Sequence, residues 1–155
     1  MKEMIVVSAC LLGLGCCYNG CNNTDERVLE LRDTYTLIPL CPEQLGGMQT
    51  PRSPSFFIEG DGSLTLQGIN NMINDQNENV SHLFRKGAEE ALKICRLFDV
   101  KKAILKENSP SCGTHQIYLK EKLTKGMGVT ATILKSNGIR VMSENDIRRP
   151  DERKD

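Results

Sequence analysis

The chain has no excess charge of either sign, since twenty Lys and Arg offset twenty Asp and Glu over 155 residues. A neutral chain has no global field to draw in nucleic acid or an anionic membrane, so bulk nucleic-acid binding is not expected. No apolar run approaches the ~20 residues that a membrane-spanning helix requires. The apolar stretch in MKEMIVVSAC is too short for a secretory core and reads as a first strand. The expectation is a cytoplasmic protein with no membrane attachment. The chain also lacks any CxxC pair, the usual signature of a structural zinc site. It has no internal repeat, low-complexity segment or dividing linker, which predicts one domain over residues 1–147 and a charged C-terminal tail at 148–155.

What the chain does have is cysteine, seven in all. Without a secretory segment these are expected to be reduced rather than paired in disulfides. Short β-branched runs alternate with helical patterns. Strands are predicted at Met4–Ser8, Thr36–Leu40 and residues 102–106, with a short one at Gln116–Leu119 and a last one at 139–142. Helices are predicted at 25–33, capped by Thr24, and at Val129–Ser136, closed by Asn137-Gly138. The longest helix is marked by Val80, Leu83, Phe84, Gly87, Ala88, Ala91, Leu92, Cys95 and Phe98 at a 3.6-residue period, after a cap at Asn77 or Asn79. Residues 56–59 and 63–66 flank Gly60-Asp61-Gly62 and read as a hairpin or a protruding extended loop. This alternation predicts an α/β fold, a single three-layer Rossmann-like domain with a mainly parallel sheet and that hairpin or loop as an insertion. Such sheets hold their ligand crevice beyond the carboxyl ends of the strands.

Three cysteines share one place in this grammar. Cys10 follows the first strand, Cys41 the second, and Cys112 lies in the loop after residues 102–106. If the strands are parallel, all three thiols emerge at one edge of the sheet. Each alone reads as a small buried hydrophobe, but three at three strand ends read as a metal-ligand set. Without CxxC pairs, they suit an iron–sulfur cluster with one iron left open better than a closed zinc site. Cys16, Cys17, Cys21 or His115 could close a fourth position, or the loop thiols could be incidental. Cys95, on the apolar helix stripe, reads as core.

Several motifs occur in order: Ser8-Ala9-Cys10-Leu11-Leu12-Gly13, Tyr18-Asn19-Gly20, Cys41-Pro42-Glu43 with Gly46-Gly47 and Thr50-Pro51-Arg52, Lys106-Glu107 with Ser109-Pro110-Ser111-Cys112-Gly113, and Gly126-Met127-Gly128-Val129-Thr130-Ala131. Together they resemble the bacterial domain-of-unknown-function family that contains the thiouracil desulfidases, over nearly the whole chain. The resemblance implies a 4Fe–4S cluster with three cysteine ligands, at Cys10, Cys41 and Cys112, and one open iron. It implies non-redox removal of sulfur from a thiolated pyrimidine or similar small thiocarbonyl compound, free base or nucleoside, with Glu43 and Ser109 as catalytic residues. Cluster-assembly machinery is the partner this implies. Family members commonly carry an arginine and an aspartate around the first-loop tyrosine, where this chain has Cys17-Tyr18-Asn19.

The residues themselves leave alternatives. Glu43 is a proton-transfer group beside Cys41 or an acid at the start of a short helix. Ser109 is a proton relay or a turn hydroxyl before Pro110. Arg52 grips an anionic substrate or pairs with a carboxylate. His115 is a ligand, a proton carrier or a solvated loop residue. For the whole chain, the alternative to an enzyme is a non-catalytic iron–sulfur or zinc protein acting as sensor, carrier or structural module.

Overall fold

A computed structural model describes residues 1–148, and the charged tail expected at 148–155 lies, but for Arg148, outside the described residues. The main sheet has four strands, β1 (Met4–Ser8), β2 (Thr36–Leu40), β5 (Lys102–Leu105) and β8 (Arg140–Ser143), in the order β2-β1-β5-β8 and all parallel. β1 is central and reads as a fully buried strand because both its faces are covered. Val6 points into one core cluster with Leu105, Ala91 and Leu134, while Ile5 and Val7 point into the other with Val28 and Ile104. That is the period of two expected of a pleated strand.

The first cluster is roofed by α4 (Ser81–Leu97) and α5 (Val129–Ser136). The stripe predicted for the long helix is its buried face as far as Cys95, with Phe84, Gly87, Ala88, Ala91, Leu92 and Cys95 all buried, whereas Phe98 falls just past the helix end and is exposed. Asn79 accepts from the Ser81 backbone N–H at 3.1 Å, so it caps the helix from one residue outside the start. The opposite face carries α1 (Glu26–Leu29), capped by Asp25 rather than Thr24, which runs on as a 3-10 turn at Glu30–Asp33.

A second sheet stands beside the first. It contains β3 (Ser55–Phe57), β4 (Met72–Asn74), β6 (Gln116–Leu119) and β7 (Lys122–Lys125) in the order β4-β3-β6-β7. Its pairs β3–β4 and β6–β7 are antiparallel, and β3–β6 is parallel. The hairpin expected across Gly60-Asp61-Gly62 is not formed. Residues 63–66 belong instead to α3 (Gly62–Leu66), because the Asp61 carboxylate accepts from the Ser63 N–H and caps a helix there. The strand that pairs with β3 is β4, further along. Among the described residues, no helix is long and apolar enough to cross a membrane.

Candidate functional site

The carboxyl ends of β1, β2 and β5 open into one cavity of about 620 Å³, lined by Cys10, Cys41 and Cys112 together with Glu43, Arg52, Ser109 and Ser111. The crevice lies where β1 has its two successors on opposite sides, β2 on one and β5 on the other, the usual ligand position in such sheets.

Each wall is held by backbone. After β1, a 3-10 turn at Ala9–Leu12 buries Cys10, and Gly13 ends it at φ 100°, a conformation open to glycine without strain. The following loop folds back onto that turn through Asn23 N–H to Cys10 O and Asp25 N–H to Leu11 O, both 2.9 Å. After β2, Cys41 precedes the one-turn helix α2 (Pro42–Leu45), which carries Glu43 in its first turn. Gly46 and Gly87 let the α2 and α4 backbones meet; a Cβ on Gly46 would collide with Leu83 O, and one on Gly87 with Pro42 O. After β5, the loop bearing Ser109 to Cys112 is pinned by the start of α5, whose Val129, Thr130 and Ala131 N–H groups donate to Pro110 O and Ser111 O. The same loop is gathered by the Glu107 carboxylate. One of its oxygens accepts N–H groups of Asn108, Thr114, His115 and Gln116 at 2.8 to 3.4 Å.

Glu43 is bound on both oxygens. Oε1 accepts from Arg52 Nε at 3.1 Å, in an ion pair whose side chains are only 8% and 14% exposed, and Oε2 accepts from Ser111 Oγ at 3.1 Å. Ser111 Oγ is 3.0 Å from Ser109 Oγ and also lies 3.6 Å from Cys112 Sγ. Ser109 Oγ accepts the backbone N–H groups of Ser111 and Cys112 at 3.2 and 3.1 Å. Arg52 further donates to Cys16 O at 2.8 Å and approaches Cys41 Sγ at 4.0 Å. Of the readings open for Arg52, the carboxylate partner is the one observed. Glu43 does sit at the start of a short helix, yet its carboxylate turns into the cavity.

All seven cysteines are free thiols. Burial pushes the Cys112 thiol up to about 12, with neighbouring Cys41 and Glu43 adding to the rise and hydrogen bonds from Ser8 and Ser111 opposing it. Burial also drives Cys10 well above the usual thiol range, reinforced by Cys112 and Cys17 beside it. Cys16 is pushed up to about 12 by burial and by Cys41. Cys17 accepts from Asn23 Nδ2 at 2.9 Å and lines the same cavity, as does the exposed Cys21. His115 does not line it; its ring is exposed, with Nε2 3.1 Å from Asp146 Oδ2. Cys95 lies in the core. Among the described residues, no three His, Cys, Asp or Glu side chains are grouped as they would be around a single metal ion.

Residues 5–146 match the 2-thiouracil desulfurase family. The chain belongs to that family. A curated relative, the uncharacterized protein YbbK of Bacillus subtilis (strain 168), is 42% identical over 147 residues, covering 93% of this chain and 97% of YbbK. Among solved structures, the 4Fe–4S-dependent thiouracil desulfidase TudS (DUF523Vcz) is similar with a TM-score of 0.82 at 34% identity, over 94% of this chain and 93% of that one. The mixed α/β architecture, with its parallel main sheet and second sheet, is therefore that of the 2-thiouracil desulfurase family. Within it, Ser111 and Glu107 are the residues to which sequence reasoning assigned no task. Ser111 sits inside a recognised motif, but nothing in its spacing says that it reaches a carboxylate 68 positions away.

Proposed function

We propose that this chain is a desulfidase that uses an iron–sulfur cluster without net redox change, converting a thiolated pyrimidine or similar small thiocarbonyl compound to its oxo form. The reaction is balanced by water alone: the thiocarbonyl and H₂O give the carbonyl and H₂S. The observation that supports this most is the meeting of Cys10, Cys41 and Cys112 with Glu43 and Ser109 in one cavity.

The donor set fits such a cluster. All three candidate ligands are thiols, the ligand type of iron–sulfur centres, and they come from three separate loops rather than from one single-ion cage. Burial holds Cys10 and Cys112 protonated in the bare pocket. Ligand thiols lose their protons when metal binds, and its positive charge offsets that cost. Cys10, Cys41 and Cys112 would hold a 4Fe–4S cluster with one iron free of protein ligand. When bound, the cluster would supply Lewis-acid affinity for the substrate sulfur.

The remaining work falls to the chain. Glu43 takes a proton from the water that adds to the thiocarbonyl carbon, since its carboxylate faces the cavity. Ser111 and Ser109 extend that carboxylate into a line of three groups linked at 3.1 and 3.0 Å, along which a proton can return to the departing sulfur or to a ring nitrogen. Because Ser109 Oγ already accepts two backbone N–H groups, its own proton is free to point at Ser111 or at substrate. Arg52 fixes the Glu43 carboxylate through its other oxygen, Oε1.

The test is anaerobic reconstitution with iron and sulfide, followed by incubation with 2-thiouracil. Loss of thiouracil absorbance with equal yields of uracil and sulfide is expected. A fully loaded protein that leaves thiouracil intact would overturn the reaction, and a chain that binds only zinc, unaffected by Cys41→Ala, would overturn the cluster.

A further inference from the structure

The chain has seven aromatic rings, four Phe and three Tyr, and no tryptophan. Three of the seven, Tyr18, Phe56 and Tyr118, line the one cavity that holds Cys10, Cys41 and Cys112. The other four lie elsewhere. Phe57 and Phe84 are buried in the core, Tyr35 lies under the Lys102 ammonium at 5.4 Å, and Phe98 is exposed just past the end of the long helix.

The second sheet explains how two of the rings come together. β3 and β6 are parallel neighbours with Phe57 opposite Leu119, so Phe56 and Tyr118, each one residue earlier, are also side by side. Phe57 and Ile117 are 0% and 1% exposed and point into the core with Leu119 against them. Alternation along each strand therefore turns Phe56 and Tyr118 to the opposite face, toward the cavity. Tyr118 is 43% exposed and Tyr18 is 49% exposed, so their rings are open to a ligand rather than spent on the core. Tyr18 is set on the loop side, where its carbonyl accepts from the Arg52 N–H at 2.7 Å.

We propose that Phe56 and Tyr118 form a stacking platform for the flat ring of a pyrimidine base, with Tyr18 facing the same space from the first loop. The second sheet is then the base-binding half of the site and the main sheet the reacting half. Stacking on an aromatic face is tolerant of ring substituents, so the platform recognises planarity and leaves the choice of functional group to the reacting half. This rests on the reading of the site as one for thiopyrimidines, and it adds which residues grip the ring.

The experiment is calorimetric titration of the cluster-loaded chain with two non-reacting probes, uracil and 5,6-dihydrouracil. The two carry the same carbonyl and N–H groups, but the second has no aromatic ring. Uracil is expected to bind about tenfold more tightly. Tyr118→Phe should keep that preference, because the hydroxyl is not needed for stacking. Tyr118→Leu should weaken uracil about tenfold and bring the two probes together. Equal binding of the probes by the wild-type chain, no effect of Tyr118→Leu, or no uracil binding at all would each overturn the platform. A loaded chain that prefers uracil over dihydrouracil but does not desulfurate thiouracil would overturn the reaction while leaving the platform standing.

Discussion

The Ser111 hydroxyl donates to Glu43 Oε2 at 3.1 Å, joining the loop after β5 to the helix after β2 across the mouth of the sheet. It is the only step linking Glu43 to Ser109 among the described hydrogen bonds, since Ser109 Oγ contacts Ser111 but not the carboxylate. Ser111→Ala should therefore separate the two groups without moving either. Proton transfer by a positioned group is worth roughly 10²–10⁴-fold in rate, and losing the middle of a relay should cost about 10²-fold in kcat with a smaller change in KM. Ser109→Ala should lose activity too, and in addition about 1 kcal/mol of stability, because two loop N–H groups lose their acceptor. Steady-state kinetics beside denaturation curves distinguishes the two variants, and full kcat in Ser111→Ala would rule out the relay.

Arg52 makes a second prediction. Its guanidinium reaches Glu43 Oε1, Cys16 O, Thr50 Oγ1 and Gln49 O, a four-way fork that ties the 49–52 loop to both walls of the cavity. Arg52→Ala leaves a largely buried carboxylate without its cation, and breaking such a pair costs about 3–5 kcal/mol. Arg52→Lys keeps the charge but cannot span the same set of acceptors, so its loss should fall between. Urea denaturation of the three chains would show the order, and an Arg52→Ala protein as stable as the parent would mean the pair contributes nothing.

Much of this arrangement could be read from residue order, and some could not. Strands ending at Ser8 and Leu40, with a cysteine two positions after the first and one after the second, are local facts, and once a parallel sheet is inferred, the edge on which Cys10 and Cys41 emerge follows. Cys112 follows by the same rule, although it lies seven positions past the end of β5. Residues 63–66 form a short apolar run that fits a strand or a helix equally, and the deciding contact is the Asp61 cap, whose other carboxylate oxygen is held by the Met127 N–H. The strands at Met72–Asn74 and Lys122–Lys125 gave little sign of themselves. The first has three residues, and the second is largely polar because only one of its faces meets anything. Ser111 and Glu107 act through contacts made by folding, which no spacing rule records. Tyr118 could have been noticed: between the buried Ile117 and the half-buried Leu119 it is the outward residue of an alternating strand.

The buried thiols predict a reactivity order in the cluster-free chain. With Cys112 pushed up to about 12 by burial, very little of the thiol is ionised at pH 8, and the thiolate is the nucleophile. Iodoacetamide should label exposed Cys21 first and leave Cys112 and Cys10 almost untouched, by peptide mass mapping under anaerobic, reducing conditions. Because the shift is upward, labelling of Cys112 should rise about tenfold per pH unit from 7 to 10 rather than level off. Cys95, raised to about 11 by burial alone, serves as a core reference outside that cavity. Equal labelling of Cys112 and Cys21 at pH 8 would mean the cavity is far wetter than its packing implies.

Glu107 gives the pH prediction. Burial pushes its carboxyl up, but the four backbone N–H groups on one oxygen together outweigh that and hold it below its ordinary value of 4.5. A carboxyl depressed in the folded state contributes stability that is complete above the unfolded value and is lost as pH falls through the folded one. The wild-type chain should therefore exceed Glu107→Gln by about 2–3 kcal/mol at neutral pH, the range for hydrogen bonds to a charged acceptor, and the margin should narrow only below about pH 4.5. The loop it gathers also carries Ser109, Ser111 and Cys112, so Glu107→Gln should lower iron retention and kcat as well as stability. Urea denaturation at pH 7, 5, 4 and 3 measures the margin directly. If the margin stayed constant down to pH 3, the four N–H groups would not be reading a carboxylate charge, and Glu107 would be holding the loop by shape alone.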